Sequence, residues 1–226
     1  MSLLPWGAHA QYYQADLGYN GHLMSPDGLS FVVDRYNETR SFLTSELDAF
    51  NYFDGITGSL GMSVEGIYVE AGYNGRAQRR SAQGTISGTV QRRDLHVREG
   101  GFFFGVGFSM MGNNAKNGVI VGMRVEAGRL RVRTRTGAAE TIGGVEWQEA
   151  HSSPNTLISP FMKVVLGGIN VEPYYAFDLL GSTTAVTQVN RAINPATYRD
   201  DPIAIAWQGG GFGLRTTFNV LTLVER

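Results

Sequence analysis

His151 and Ser153 form the one His-x-Ser pair whose spacing suits nucleophilic catalysis. A histidine that takes the proton of a serine hydroxyl creates an acyl-transfer nucleophile, provided that a carboxylate orients the imidazole. The next predicted strand offers Glu172 and Asp178 as that carboxylate, but counting back from its hairpin turn pairs Asp178 with about Ile158. No catalytic residue is therefore assigned, and the plainer interpretation is a polar loop that contains a histidine.

Metal and nucleic-acid chemistry have less support. The chain has no cysteine, and His22 and His96 lie far apart without metal-ligand spacing, so we predict no metal and no cofactor. Lysine plus arginine (19) nearly balances aspartate plus glutamate (20), for a net charge of −1. This balance removes the basic excess expected of a nucleic-acid-binding protein, so nucleic acid is not an expected partner.

Alternation of apolar and polar residues recurs along the 226-residue chain and predicts eight β-strands. The windows are residues 13–20, 56–64, 67–74, 101–110, 119–128, 161–167, 169–178 and 211–222. Tight or short turns separate windows two and three, four and five, and six and seven. The other connections are long: residues 21–55, 75–100, 129–160 and 179–210. An even number of strands with short and long connections at opposite ends predicts an antiparallel up-and-down β-barrel.

The side chains on the two faces indicate which face points inward. The polar face carries every charged residue of the windows: Asp16, Glu70, Arg124, Glu126, Lys163, Glu172, Asp178 and Arg215. The apolar face carries ten aromatic residues: Tyr13, Tyr19, Tyr73, Phe102, Phe104, Phe108, Tyr175, Phe177, Phe212 and Phe218. So many rings cannot fit inside eight strands, so we expect them to face lipid. The charges would then pair and plug the lumen, leaving no general pore; an ion or proton path along the carboxylates is the alternative.

Arginine is concentrated in two long connections and the start of the strand between them. Ten of the 17 arginines lie there: Arg76, Arg79, Arg80, Arg92, Arg93, Arg98, Arg129, Arg131, Arg133 and Arg135. If these connections face outward from the cell, their guanidinium groups could bind lipopolysaccharide phosphates. The alternative is a solvated, strand-extended rim with acidic neighbours such as Glu99.

Leu43, Leu47 and Phe50 follow a helical spacing in the first long connection. They predict a short amphipathic helix over residues 41–53 that covers the mouth of the barrel.

Ala8 and Ala10 form a small-residue pattern like that of an export-signal cleavage site. We interpret residues 1–10 as the remnant of an export signal and residues 11–226 as a single barrel domain. The alternative is an ordinary terminus that contains two alanines.

From about Gln11 to Leu223 the eight windows resemble the small outer-membrane barrels of the outer membrane protein A transmembrane-domain and outer membrane protein X type. The resemblance implies an all-β, eight-stranded transmembrane barrel of a bacterial outer membrane, monomeric and in contact with outer-membrane lipid. It also implies a structural or surface-interaction role through the outer loops, with an unidentified protein partner. One alternative is a lipid-modifying enzyme, since the His151–Ser153 pair is similar to that of lipid A deacylase barrels. The other is a soluble lipocalin-like carrier, with the rings of Tyr175, Phe177, Phe212 and Phe218 around a ligand.

Overall fold

The computed structural model describes residues 10–23, 27–114, 117–179, 185–196 and 209–224, and most of these residues are in strands. The elements in chain order are β1 (Ala10–Leu23), α1 (Asp27–Glu38), β2 (Leu43–Ser45), β3 (Tyr52–Val64), β4 (Ile67–Ile86), β5 (Thr89–Asn114), β6 (Asn117–Ala138), a 3-10 turn (Ile142–Gly144), β7 (Gln148–Leu166), β8 (Ile169–Asp178), α2 (Ala185–Ile193) and β9 (Gly209–Val224). Residues 1–9 lie outside the described part, so the export-signal remnant stays a prediction.

All strands except the short β2 close into a ring of eight. Each ring strand pairs antiparallel with its neighbours, and β1 pairs with β9 to complete the circle. β2 lies beside the upper part of β4, with Leu43 opposite Gly84. Seven predicted windows fall within ring strands, and the eighth, residues 161–167, overruns the end of β7 by one residue, Gly167. The predicted fold class, an eight-stranded antiparallel barrel with a helix in its first long connection, is therefore confirmed.

Among the described residues, three two-residue turns join consecutive strands, and both residues of each have positive φ. They are Glu65–Gly66, Ser87–Gly88 and Gly167–Gly168. Positive φ at both positions lets a two-residue hairpin continue the twist of its strands. Ser87–Gly88 lies in the middle of the long connection predicted for residues 75–100. β4 and β5 instead run to that turn as one uninterrupted hairpin.

β4, β5, β6 and β7 are 20, 26, 22 and 19 residues long, whereas β3 has 13 and β8 has 10. Their additional residues form a sheet that rises beyond the rest of the ring on one side. We call this sheet the wall and define it as residues 75–86, 89–100, 129–138 and 148–154. Much of the two connections predicted for residues 75–100 and 129–160 is thus paired strand.

The inner and outer faces exchange polarity along β5 although its register does not change. Pairing with β4 and β6 is continuous from Gln91 to Phe108. In the ring, Phe102 and Phe104 point outward and are exposed, while glycines alternate inward. In the wall, Leu95 and Val97 point inward and are buried, whereas the outward positions carry charged and histidine side chains. The same ladder is therefore apolar outside in the ring and apolar inside in the wall.

The two helices and the segment before β3 cover the mouth of the barrel. We call this cover the cap and define it as residues 27–51 and 185–194. Their apolar side chains join those on the inner face of the wall in one core, which includes Leu29, Val32, Val33, Tyr36, Leu47, Phe50, Phe53, Leu95, Val97, Leu130, Val132, Val189 and Ile193. Arg40, just after α1, donates hydrogen bonds to the backbone oxygen of Ile193 (3.0 Å) and to Asn194 Oδ1 (2.9 Å) at the end of α2. The first and last long connections thus meet over the lumen.

The helix predicted over residues 41–53 is wrong in position. The helix of the first connection is α1, whose Leu29, Val32, Val33 and Tyr36 form the buried stripe. Leu47 and Phe50 are buried as expected, but from an irregular segment. The Asn37 side chain bonds to both backbone groups of Leu47, at 2.9 and 3.0 Å, and replaces helical hydrogen bonds there. Among the described residues, neither helix is long and apolar enough to cross a membrane.

Candidate functional site: the charged lumen and the arginine wall

Six buried charged side chains from six strands meet in the middle of the lumen. We call them the lumen cluster: Asp16, Glu70, Arg124, Lys163, Glu172 and Arg215. Lys163 Nζ lies 2.8 Å from Glu70 and 3.1 Å from Asp16, and it also bonds to the Tyr68 hydroxyl. Glu172 pairs with Arg124 at 2.7 Å and with Arg215 at 3.0 Å, and both arginines also pair with Glu70. Three cations and three carboxylates thus compensate one another.

A second buried group lies nearer the mouth, around Arg76. Its guanidinium pairs with Glu99 and with Glu126, at 3.1 Å from the latter. Arg76 was predicted at the outer rim and Glu99 as its acidic neighbour; the structure corrects this, because even-numbered residues of β4 point inward here. Glu126 therefore belongs to this group rather than to the lumen cluster. Asp178, half-buried at the end of β8, belongs to neither.

Inward glycines make room for large inward rings. A Cβ on Gly72 would lie 2.6 Å from the ring of Phe103 and 2.2 Å from the backbone oxygen of Gly58. A Cβ on Gly122 would lie 2.7 Å from the ring of Phe161. Arg124 in turn stacks between these rings, with its Cζ 4.3 Å from the centre of Phe103 and 4.9 Å from that of Phe161. Rings and ion pairs thus fill the interior together.

The outer face of the ring is apolar and exposed. Phe102 is 75% exposed, Ile56 69% and Leu60 68%. The four rings that the soluble-carrier alternative required inside, those of Tyr175, Phe177, Phe212 and Phe218, all point outward and are also exposed. The structure therefore contradicts the lipocalin-like alternative.

Seven of the ten predicted rim arginines lie on the outer face of the wall. They occupy alternate positions of three neighbouring strands: Arg79, Arg92, Arg98, Arg129, Arg131, Arg133 and Arg135. Arg80 and Arg93, like Arg76, lie on the inner face, and Arg80 donates to the backbone oxygen of Ala49. Burial, with the nearby charges of Arg79, Arg98 and Arg133, lowers the pKa of His96 on the same outer face. The outer face of the wall is therefore strongly positive.

Asp94 lies in the half of the wall farther from the ring and neutralises part of this charge. Its carboxylate accepts hydrogen bonds from Arg92 (2.7 Å), Arg135 (2.8 Å) and Arg79. Burial alone would raise the pKa of Asp94, but the hydrogen bonds from Ser81 and the three arginines lower it to about 2. The Trp147 ring lies beneath Arg79 and Arg135, at 5.4 and 4.5 Å from their Cζ atoms. One carboxylate and one indole thus hold three guanidinium groups.

The part of the wall nearest the ring holds three arginines that have no ion-pair partner among the described residues. Arg98 and Arg131 lie directly opposite each other on β5 and β6, and Arg129 is two residues below Arg131. With Tyr73 and Gly100 they line a surface cavity of about 150 Å³, which we call the rim site. Tyr73 also packs on Phe102, with 5.4 Å between ring centres, so the rim site borders the aromatic part of the outer face. Directly opposed like charges are unfavourable, so the rim site would gain from a bound anion.

His151 and Ser153 do not form a catalytic arrangement. Both lie on the inner face of β7, away from the lipid-facing side that a lipid-modifying site would need. His151 Nδ1 is hydrogen-bonded to the Gln188 amide (2.8 Å) rather than to a carboxylate, and the Ser153 hydroxyl has no hydrogen-bond partner among the described residues. Asp178 lies opposite Leu157, one residue from the predicted position. Among all residues that the structure describes, no three His, Asp or Glu side chains converge as a metal site.

The likeness that comparisons with known proteins give is to solved structures. No protein-family model matches the chain, and no curated protein matches it. Among solved structures, the attachment invasion locus protein Ail of Yersinia pestis, crystallised with the heparin analogue sucrose octasulfate, is similar over 93% of this chain and 99% of that one. The identity is 7% and the TM-score is 0.37.

Proposed function

We propose that this chain spans a bacterial outer membrane and serves a structural or surface-interaction role through its wall and cap. The polarity exchange along β5 carries this proposal. A single ladder in constant register has outward, exposed phenylalanines on one side of Gly100 and outward charged residues on the other. Only a change of solvent, from lipid around the ring to water around the wall, makes both halves favourable.

The wall would then lie outside the cell. It stands at the end of the long connections, while the two-residue turns Glu65–Gly66 and Gly167–Gly168 lie at the opposite end. Outer-membrane barrels have short periplasmic turns and long outer connections. The rings and ion pairs fill the lumen. We therefore expect any interaction with other molecules outside the cell to involve the exposed surfaces of the wall and cap.

Fractionation and heat-modifiable gel mobility would test this placement. We expect the chain, expressed behind a complete export signal, to be recovered in the detergent-soluble outer-membrane fraction, with unboiled and boiled samples migrating differently. The shift is expected because closed barrels resist denaturation until they are heated. A water-soluble monomer without a mobility shift would reject the membrane proposal.

We further propose that the rim site binds phosphate groups of lipopolysaccharide. It lies next to the Tyr73–Phe102 pair, on the side toward the wall. In outer-membrane barrels the aromatic girdle meets the lipid headgroups at such a position. A phosphate placed between Arg98 and Arg131 would remove their mutual repulsion and accept charge-assisted hydrogen bonds from both. Gly100 leaves room for the Tyr73 hydroxyl, which a Cβ at this position would approach to 2.4 Å, so Tyr73 can lie at the edge of the cavity.

The double variant Arg98→Gln, Arg131→Gln would test the rim site. We expect it to bind fluorescent diphosphoryl lipid A in mixed micelles at least about tenfold more weakly, since each lost charge-assisted bond weakens binding. Arg80→Gln is the matched control, because it removes one arginine from the inner face. Equal affinity of the double variant and the parent chain would refute lipid binding at this site and leave the membrane placement untouched.

A further inference from the structure

A second and larger cavity lies at the far end of the wall, on its inner side. It measures about 260 Å³ and is enclosed by the C-terminal end of α1, the segment after it and the tip of the β4–β5 hairpin. Its apolar surface comes from Phe42, Leu43, Ala82 and Ile86, with Tyr36 of α1 beside them. Gly84 is part of the same surface and packs against Phe42. The cavity is thus separate from the rim site, which lies on the outer face of the wall and closer to the ring.

Two of the guanidinium groups that line this cavity, those of Arg40 and Arg93, lie against one ring. The Cζ atom of Arg40 is 3.9 Å from the centre of the Tyr36 ring, and that of Arg93 is 5.5 Å from it. The hydrogen bonds of Arg40 go to uncharged oxygens, including the backbone oxygens of Tyr36 and Ile193. Two cations thus share an aromatic ring instead of a carboxylate.

Neither cation has an ion pair with a carboxylate of the described residues. Arg92, which also lines the cavity, differs in this respect because Asp94 neutralises it at 2.7 Å. Burial lowers the pKa of Arg93, and burial together with the nearby Arg93 lowers the pKa of Arg40. Partly buried charge without a counter-charge is unfavourable, and it is the condition that an anionic ligand would relieve.

We propose that this cavity binds a small amphipathic anion. Its carboxylate, sulfate or phosphate head would lie between Arg40 and Arg93, and its apolar body would lie along Phe42, Leu43 and Ile86. The head group would supply the counter-charge that the described residues do not, and the apolar body would bury surface that is otherwise hydrated. The inference needs only the wall and the cap, and it stands whether or not the rim site binds lipid.

Calorimetric titration of the full chain in phosphatidylcholine nanodiscs would test the site. The probe is 4-butylbenzoate, and 4-butylbenzamide is its uncharged counterpart of nearly the same shape; empty nanodiscs correct for partition into lipid. We expect the benzoate to bind at least about tenfold more tightly than the amide. Inorganic phosphate, which has the charge without the apolar body, should bind more weakly than the benzoate to the Arg98→Gln, Arg131→Gln variant, in which the rim site cannot contribute.

Arg93→Gln should weaken benzoate binding about tenfold, because a charge-assisted bond is lost. Arg35→Gln is the matched control: Arg35 is on α1, pairs with the exposed Glu38 at 4.0 Å, and does not line the cavity. Ala82→Leu, which fills the cavity without changing charge, should also weaken binding. Equal binding of benzoate and amide, phosphate binding as tight as the benzoate, or unchanged binding by Arg93→Gln would each overturn the proposal. Heat-modifiable mobility confirms that each variant has folded.

Discussion

Lys163 shows how the lumen tolerates buried charge. Its ammonium group lies within 4.0 Å of three carboxylates, those of Asp16, Glu70 and Glu172, and is fully buried. A buried pair is expensive to form, but removing one partner is more expensive, because it leaves the other uncompensated. The lumen cluster therefore constrains which of its residues can be replaced singly.

Lys163→Met should lower the free energy of unfolding by about 3 kcal/mol, because three carboxylates would then face two arginines. The measurement is urea unfolding in detergent micelles, followed by intrinsic fluorescence. Adding Asp16→Asn to this variant should recover part of the loss, since it restores the balance of charge. An unchanged unfolding midpoint for Lys163→Met would show that the cluster does not stabilise the barrel.

Inward-facing charged residues could be identified from the sequence wherever the alternation of apolar and polar residues was clear. The inward position of the lumen cluster follows from period two, because every member lies in a predicted window. The inward position of Arg76 could have been found by continuing the same alternation from Asn74 to the next inward position of β4. Contacts such as that of His151 with Gln188 could not be found, because they join segments whose packing no local pattern encodes.

The wall is a structural element with its own electrostatic support. Its outer face would repel itself if Asp94 did not accept bonds from Arg79, Arg92 and Arg135. The pKa of Asp94 is about 2, below the value of about 3.9 for an unfolded aspartate. A lowered folded-state pKa means that Asp94 stabilises the wall fully above about pH 4 and loses this contribution as the pH falls toward 2.

Amide hydrogen exchange in the wall part of β4 and β5 should therefore accelerate between about pH 4 and pH 2, after correction for intrinsic exchange. Asp94→Asn should raise wall exchange at pH 7 and show little further change across that interval. Exchange in the lower half of β5, from Gly101 to Phe108, serves as the internal reference. If the parent chain and Asp94→Asn responded alike to acid, Asp94 would not be the group responsible.

The turn Ser87–Gly88 and the helix α1 were missed for different physical reasons. Ser-Gly between β-branched and polar residues is a hairpin signal, but the exchange of polarity in the wall hid the strands on either side of it. The apolar residues of the predicted strands face outward, whereas those of the wall face inward. Residues 41–53 imitate helical spacing because Leu47 and Phe50 both reach the core from an irregular segment, which spacing alone cannot distinguish from a helix.

At the scale of the whole molecule, alternation was sufficient to predict the ring. Eight short segments with one apolar face each can bury their backbone groups only by pairing with one another. Ring closure through β1 and β9 then removes the last edge. A cover over the mouth was predicted, but the contact between the first and last long connections was not, because it joins segments about 150 residues apart in the chain.

Vesicles that contain the refolded chain should retain a trapped small sugar as well as protein-free vesicles do. The reason is that the lumen is filled by paired charges and by the rings of Phe103 and Phe161. Vesicles with a general porin provide the positive control for leakage. Release of sugar at a rate comparable to that of the porin would show that the plug is open.

The bonds from Arg40 to Ile193 and Asn194 also bear on how the barrel is completed. Asn194 further donates to the backbone oxygen of Val32 in α1, at 3.3 Å. The connections that carry these bonds lead out of β1 and into β9, the first and last strands, whose joint is the only one in the ring without a direct covalent link. Arg40 lies beside Arg93 of β5 and Thr136 of β6, which are on the side of the ring opposite that joint. The bonds therefore tie the two connections together over the wall. Because they join segments about 150 residues apart in the chain, the cap should acquire its native structure late in folding.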